Sequence, residues 1–397
     1  MGLIYFVFPF IVDQREFIPG TFLGRLILSG RGFDAETAAL PSFHVIWAFI
    51  AAWYFTESFR NFKWIWYTIA FLISASCVTT GNHSIPDVIA GFIVFICILY
   101  RDEIWDLIRR FSEKLANSWR EWRWGPVRLI NHGLYGGAAG FAGTLVAGFF
   151  LGPGLSSAVP AVMVFVIIGA GLWAQFIEGS PKLLRPYGYY GGLTGGVLGC
   201  ILFSLVFPID LFVILGAFAM AAPWIQAIGR LRCLVQGCCH GKPSDESIGI
   251  RFTHPLSRVN KISGLKGVAL HPTQLYSICC NIISGLILAR LYSIGMPAVF
   301  ITGIYLILNG LGRFVEESFR GEAQTPYWKG MRIYQWIAIV NITAGAVFTT
   351  IPHTRVLSFE PNYASLVYAL VIGILVTFAS GVDFPESNRR FARLTSN

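Results

Sequence analysis

The chain reads as an all-α, polytopic helical integral membrane protein with about 11 transmembrane helices, each sized to a hydrocarbon core about 30 Å thick. Three observations carry that prediction. Only 13% of the 397 residues are charged and 55% are hydrophobic, whereas soluble domains average about 25% charged residues. Mean hydropathy is +0.61. Apolar runs of span length or nearly so recur at 44–57, 64–81, 85–100, 129–151, 157–177, 189–207, 211–228, 275–294, 297–312, 334–351 and 362–381. The runs are continuous rather than alternating, which excludes a β-barrel. The 33 Phe and 12 Trp fit lipid-facing helices with interfacial aromatics.

The opening stretch Met1-Gly2-Leu3-Ile4-Tyr5-Phe6 lacks a basic flank and a small-residue cleavage site, so no signal peptide is predicted. Phe6 stands where a myristoylation signal wants Ser or Thr. Further on come Pro41-Ser42-Phe43-His44 and, after two apolar runs, Asn82-His83-Ser84-Ile85-Pro86-Asp87. A carboxylate four residues after a His at a helix start can orient the imidazole as a nucleophile, and a second His can protonate a leaving oxygen. These segments resemble the type 2 phosphatidic acid phosphatase superfamily. The resemblance implies His83 as nucleophile, Asp87 as its partner and His44 as the acid. The sequence departs from that pattern where Ser76 is followed by Cys77 instead of Arg. The alternative is a scaffold in which His44, His83 and Asp87 are packed between helices.

Composition shifts sharply at 101–127. Ile104, Leu107, Ile108, Phe111, Leu115, Trp119 and Trp122 recur at helical spacing, opposite Arg109, Arg110, Glu113, Lys114 and Arg120. The pattern predicts an interfacial amphipathic helix ended by Gly125-Pro126. It divides the chain into a membrane module at 1–100, a linker helix at 101–127 and a second membrane domain at 128–397. A long connector within one bundle is the other reading.

The second module holds a polar, glycine-punctuated loop between hydrophobic runs. It comprises Gly229-Arg230-Leu231-Arg232-Cys233-Leu234-Val235-Gln236-Gly237-Cys238-Cys239-His240-Gly241, then His271-Pro272-Thr273-Gln274-Leu275-Tyr276. Such a loop near lipid is costly unless it binds something charged. Two more segments accompany it, Tyr189-Tyr190-Gly191-Gly192-Leu193 and Arg313-Phe314-Val315-Glu316-Glu317-Ser318-Phe319-Arg320. In this order the four segments resemble the prolipoprotein diacylglyceryl transferase family, over residues 128–352.

That resemblance implies a multi-pass protein of the bacterial inner membrane that moves diacylglyceryl from phosphatidylglycerol to an acceptor, most simply the cysteine of a lipobox preprotein. No cofactor is expected. Arg230 and Arg313 are the implied phosphate ligands, since guanidinium binds phosphate through two donors at once. Glu317, one helical turn after Arg313, is placed to hold an arginine in register. Gly191, Gly192 and Gly241 would let backbone approach the headgroup, with Gln274 and Tyr276 in the same substrate site. The family's basic His is Tyr190 here, which makes His240 and His271 the candidates for deprotonating the acceptor, His240 first. His271 reads equally as a residue that fastens the loop.

A metal is not expected at Cys233, Cys238 and Cys239, because the spacing lacks the Cys-x2-Cys pairs of structural zinc sites. The remaining cysteines fall in or beside apolar runs and form no disulfide framework. A net charge of +9 suits contact with anionic lipid and gives no support to a nucleic-acid partner.

Overall fold

Each of the eleven apolar runs forms a helix in the computed structural model, which describes residues 2–7, 20–22, 24–25, 29, 40–125, 127–176, 188–207, 209–321 and 327–383. The chain separates into two compact units, Met1–Ile108 and Arg109–Asn397. In the first lie α1 (Gly2–Val7), α2 (Phe43–Ser58), α3 (Lys63–Thr79) and α4 (Ile85–Leu99). Helix α5 (Arg101–Ala116) runs across the division.

The second unit contains α6 (His132–Leu151), α7 (Ala158–Phe176), α8 (Tyr189–Val206), α9 (Leu211–Gln236), α10 (Arg258–Ile262), α11 (Thr273–Ser293), α12 (Ala298–Phe319), α13 (Ile333–Thr350) and α14 (Tyr363–Gly381). Among the described residues, 8 helices are long and apolar enough to cross a membrane. The count of about 11 is therefore not reached. Helix α2 has 16 residues, and Ile85–Leu99 and Ala158–Ala174 are shorter apolar helices. The class is all-α and multi-pass. Among the described residues the β structure is three small sheets, of which β1 (Glu121–Trp124), β2 (Val127–Ile130) and β3 (Val382–Asp383) make one.

The amphipathic helix is shorter than its sequence pattern. It stops at Ala116, and Trp119 and Trp122 lie beyond it, Trp122 in strand β1. Asn117 ends the helix because its side chain serves the neighbouring loop better than another helical turn would. Its amide donates to Glu113 O and Arg251 O, and its oxygen accepts from the backbone of Thr253 (2.6 Å) and His254 (3.0 Å). Gly125, at φ +55, then turns β1 back onto β2. The part that is helical keeps Leu107 and Phe111 exposed, 67% and 66%, as an apolar face lying on lipid requires.

Helix α9 is the axis of the second unit. Asp210 caps its start by accepting from Phe212 N and Val213 N, and Gly237 ends it in the left-handed conformation at φ 75. Its upper half packs Ile214, Ala217, Ala219 and Ala221 into a core with Ala147, Val162, Leu288, Ile301 and Tyr305. A second, smaller core of Ala116, Leu234, Ile250, Phe252, Val259 and Leu270 seats the loop that follows α9.

Helix pairs approach closely through small residues, as membrane bundles favour. A Cβ on Gly303 of α12 would lie 2.7 Å from the Gly345 carbonyl of α13, and one on Gly345 would lie 2.6 Å from the Gly303 carbonyl. Gly303→Val should therefore lower stability in detergent by about 1–3 kcal/mol through overpacking, read as a lower midpoint in thermal unfolding. Gly154→Ala, where no atom lies within 4 Å of the added carbon, should leave the midpoint in place.

Candidate active site

Two adjacent glutamates at the end of α12 gather four arginines from three elements. Glu316 receives Arg230 of α9 on both oxygens at 3.0 Å, Arg313 at 2.9 Å and Arg320 at 3.2 Å. Glu317 pairs with Arg313 at 3.5 Å, with Arg320 at 3.8 Å and with Arg332, which begins α13, at 3.2 Å. The helical period explains the convergence. Arg313, Glu316, Glu317 and Arg320 are spaced by three and four residues and share one face. Each of these four is at most 4% exposed.

Four guanidinium groups against two carboxylates leave two positive charges in a buried place. Arg230 also donates Nε to Ser277 Oγ at 2.9 Å. The Arg313 guanidinium stands over the rings of Tyr189 and Tyr334, 5.2 and 5.5 Å from their centroids. Beneath it a chain of hydrogen bonds runs from Tyr189 OH to Asn309, from Asn309 to Gln226 and from Gln226 to Tyr305 OH. Tyr305 in turn forms part of the wall of an apolar cavity of about 260 Å³, with Val162, Gly192, Leu215, Phe218, Ile225 and Leu306 among its other lining. The cationic cluster and the apolar chamber are thus joined by one polar side-chain chain.

Backbone pairing pins the loop after α9 against this cluster. Gly241 bridges Arg320, Lys242 N donates to Phe319 O, and Gly321 N donates to His240 O. On the other side His271 N donates to Lys242 O, while Gln274 and Thr273 donate to the carbonyls of Cys238 and Cys239. Gln274 is accordingly a loop fastener. Tyr276 OH lies 3.1 Å from His271 Nδ1 and its ring packs on Phe319.

Several residues have duties that sequence reasoning did not foresee. His240 is 1% exposed. Its Nδ1 faces the Gly241 carbonyl at 3.0 Å and so carries the proton, and its Nε2 accepts from Ser263 Oγ at 2.8 Å. Tyr190 is buried and donates to Tyr334 O. Gly191 lets α8 meet α7, since a Cβ there would lie 2.3 Å from Gly169 O. Gly192 lines the apolar cavity. Gly241 lets the loop cross His271, whose carbonyl would lie 2.4 Å from an added Cβ. Gly191 and Gly241 are thus required by close packing, whereas Gly192 faces the cavity with no atom closer than 3.6 Å to an added Cβ.

Electrostatics lower both the His271 imidazole and the Cys239 thiol from their ordinary values at the edge of the cluster. Burial, and then Lys242, hold His271 below its ordinary value. Hydrogen bonds from Cys233 and Cys238, and then the Arg320 and Arg230 guanidiniums, hold the Cys239 thiol well below the usual thiol range. Glu316, which holds Arg230, Arg313 and Arg320, was not singled out from sequence. Its signal was available in the i, i+3 and i+4 spacing from Arg313 and to Arg320.

In the first unit, His44, His83 and Asp87 do meet. His44 Nδ1 lies 3.2 Å from His83 Nε2, and His83 Nδ1 lies 3.9 Å from Asp87 Oδ2. Asp87 also caps α4, accepting from Ser84 N at 2.7 Å, and both His83 and Asp87 are buried.

Comparison with known proteins agrees with both resemblances. Residues 186–351 match the family model of prolipoprotein diacylglyceryl transferase, and residues 18–101 match that of the PAP2 superfamily. The phosphatidylglycerol–prolipoprotein diacylglyceryl transferase of Clostridium tetani is 28% identical over 181 residues, which are 44% of this chain and 70% of that protein. The second such enzyme of Clostridium perfringens is 29% identical over 154 residues, 38% of this chain and 58% of its own length. The Oceanobacillus iheyensis enzyme is 31% identical over 163 residues, 40% of this chain and 55% of its own length.

Glu316 holds three arginines, so its loss leaves buried cations facing one another. Glu316→Ala should cost about 3–5 kcal/mol, read as a lower unfolding midpoint and a loss of monodisperse protein in detergent. Ser277→Ala, which removes one hydrogen bond to Arg230 at its other edge, should cost about 0.5–1.5 kcal/mol.

Proposed function

We propose that the second unit is a phosphatidylglycerol-dependent diacylglyceryl transferase of the bacterial inner membrane, with the cysteine of a lipobox preprotein as acceptor. The observation that carries this reading is the buried surplus of positive charge at Arg230, Arg313, Arg320 and Arg332, joined to an apolar cavity. A phosphodiester headgroup needs the first and an acyl chain needs the second.

The chemistry follows from that arrangement. The acceptor sulfur attacks the glyceryl carbon, a carbon–sulfur bond forms, and the carbon–oxygen bond to phosphate breaks. Glycerol phosphate leaves with the bonding pair, so negative charge grows on a phosphate oxygen. Arg230 and Arg313 are the ligands that take up this charge, and stabilisation of growing charge by fixed donors in a dry site is worth several kcal/mol. Glu316 and Glu317 hold the guanidiniums in place before lipid arrives. His271 is the assigned base. It is half-buried beside Phe319 and held neutral near pH 7, whereas His240 has both ring nitrogens engaged within the loop. Tyr190 gives its hydroxyl to a backbone carbonyl and lies beside Arg313.

The first unit supports a second activity, carried by the contact between His44, His83 and Asp87. There His83 would attack phosphorus in a lipid phosphate, with His44 as the acid. Purified His83→Ala protein should lose release of inorganic phosphate from phosphatidic acid and keep diacylglyceryl transfer.

The transferase reading is tested with purified protein, phosphatidylglycerol and a lipobox peptide, the product being identified by mass. Arg313→Lys keeps the charge and loses the fork, and should lower turnover by about 10²–10³. Unchanged turnover would remove Arg313 from the site. His271→Asn should lower turnover by about 10²–10⁴ at pH 7 and regain it at high pH, as the acceptor thiol ionises unaided near about 8.5. In the unaltered protein, turnover should hold at neutral pH and fall as acid protonates His271, whose lowered value puts that fall below about 6.5.

A further inference from the structure

The three cysteines of the loop have no part in the transfer chemistry above. Cys233 lies in the last turn of α9, and Gly237 turns the chain back so that Cys238 and Cys239 fold over that turn. This turn brings together what the spacing keeps apart. The three sulfurs lie within 4.8 Å of one another. Gln274 and Thr273 hold the carbonyls of Cys238 and Cys239 from the far side.

The backbone at Cys239 is strained, with φ 60, a conformation that Lys329 alone shares among the described non-glycine residues. A left-handed residue with a side chain is unfavourable and persists where its surroundings enforce it. Here it lies in the segment that closes the sulfur trio.

We infer that Cys233, Cys238 and Cys239 form a three-thiolate site for a thiophilic cation of the Zn²⁺ class, with its fourth coordination position open to a thiol. Thiolates select such ions, and three protein ligands with one open position is the arrangement of reactive zinc sites, at Zn–S about 2.3 Å.

Charge supports the assignment. Three thiolates and a divalent cation carry one negative charge together, and a phosphodiester carries another. Those two charges cancel the two left over at the arginines and glutamates, so the site holding cation and lipid is neutral before the acceptor thiol binds, as a buried site in a membrane protein requires.

On the transferase reading, the open position binds the acceptor thiol. The thiol gives its proton to His271 or to water, and coordination holds it as thiolate. The sulfur then uses a lone pair to form the carbon–sulfur bond, glycerol phosphate departs with the carbon–oxygen pair, and the thioether leaves the cation. No oxidation or reduction occurs.

The test uses full-length protein purified in detergent under reducing conditions without a metal-affinity tag. It is incubated with Zn²⁺ and washed, and its metal content is measured by mass spectrometry. One zinc per chain is expected, lost in Cys238→Ser and in Cys239→Ser and kept in Cys97→Ser and Cys279→Ser, which alter exposed cysteines outside the trio. Replacement with Co²⁺ should give thiolate-to-metal charge-transfer absorption in the unaltered protein, a readout that does not depend on any variant folding.

Absence of bound zinc and of that absorption in well-folded protein would overturn the site. So would a disulfide within the trio under these conditions, or zinc retained when both Cys238 and Cys239 are replaced. Zinc bound without any transfer activity supports the site and counts against the transferase reading alone.

Discussion

The second unit depends on a pair of adjacent carboxylates that hold four guanidiniums in a buried place. Removing such charges from water is costly, and attraction between them offsets the cost only when every group is partnered. Glu316 and Glu317 meet that condition for the protein but not in full, because two positive charges remain. A surplus of this kind is tolerated in a membrane protein where an anion completes it. The helix spacing of Arg313, Glu316, Glu317 and Arg320 supplies four contacts at the end of α12. Arg230 and Arg332 then tie α9 and α13 to the same point. The cluster is the joint between three helices and, on the proposed function, the place that would take a lipid phosphate.

That joint also explains the form of the loop after α9. A loop over a cationic cluster has to present its own backbone without adding unpaired polar groups. It does so by pairing with the end of α12 on one side and with residues 269–271 on the other. Gly241 is needed where these two pairings cross, and its missing side chain is the condition for both. His240 is consumed in the same construction, with Gly241 and Ser263 taking its two nitrogens.

Much of this was legible in the sequence. The eleven helices follow from apolar run length, and the pairing of Arg313 with Glu317 follows from a spacing of four. The approach of His44, His83 and Asp87 follows from motif order. What was not legible has physical reasons. Helix α5 ends at Ala116 because Asn117 serves the backbone of residues 251–254, far away in sequence. The close packing of Gly191 on Gly169 is a tertiary contact that its motif does not announce. The approach of the Cys233, Cys238 and Cys239 sulfurs is hidden in their spacing, because the left-handed Gly237 reverses the chain between them. Glu316 was passed over because its neighbour Glu317 fitted the expected motif, although both spacings were equally available.

The two units, as read here, are directed at phospholipids by different means, and the means decide which bond breaks. An imidazole backed by a carboxylate, as at His83 and Asp87, supplies a nucleophile and is suited to attack on phosphorus. A guanidinium cluster supplies no nucleophile. It stabilises phosphate as a leaving group, so the bond it weakens is the one from carbon to the phosphate oxygen, and the attacking atom has to come from outside the cluster. A sulfur acceptor satisfies that requirement because thiolate is a strong nucleophile toward carbon near neutral pH once its proton is removed. The second unit therefore needs only to hold the phosphate, admit the acyl chain and generate a thiolate. The first two tasks fall to the arginines and the apolar cavity, and the third falls to the stretch of loop that carries His271 and the cysteine trio.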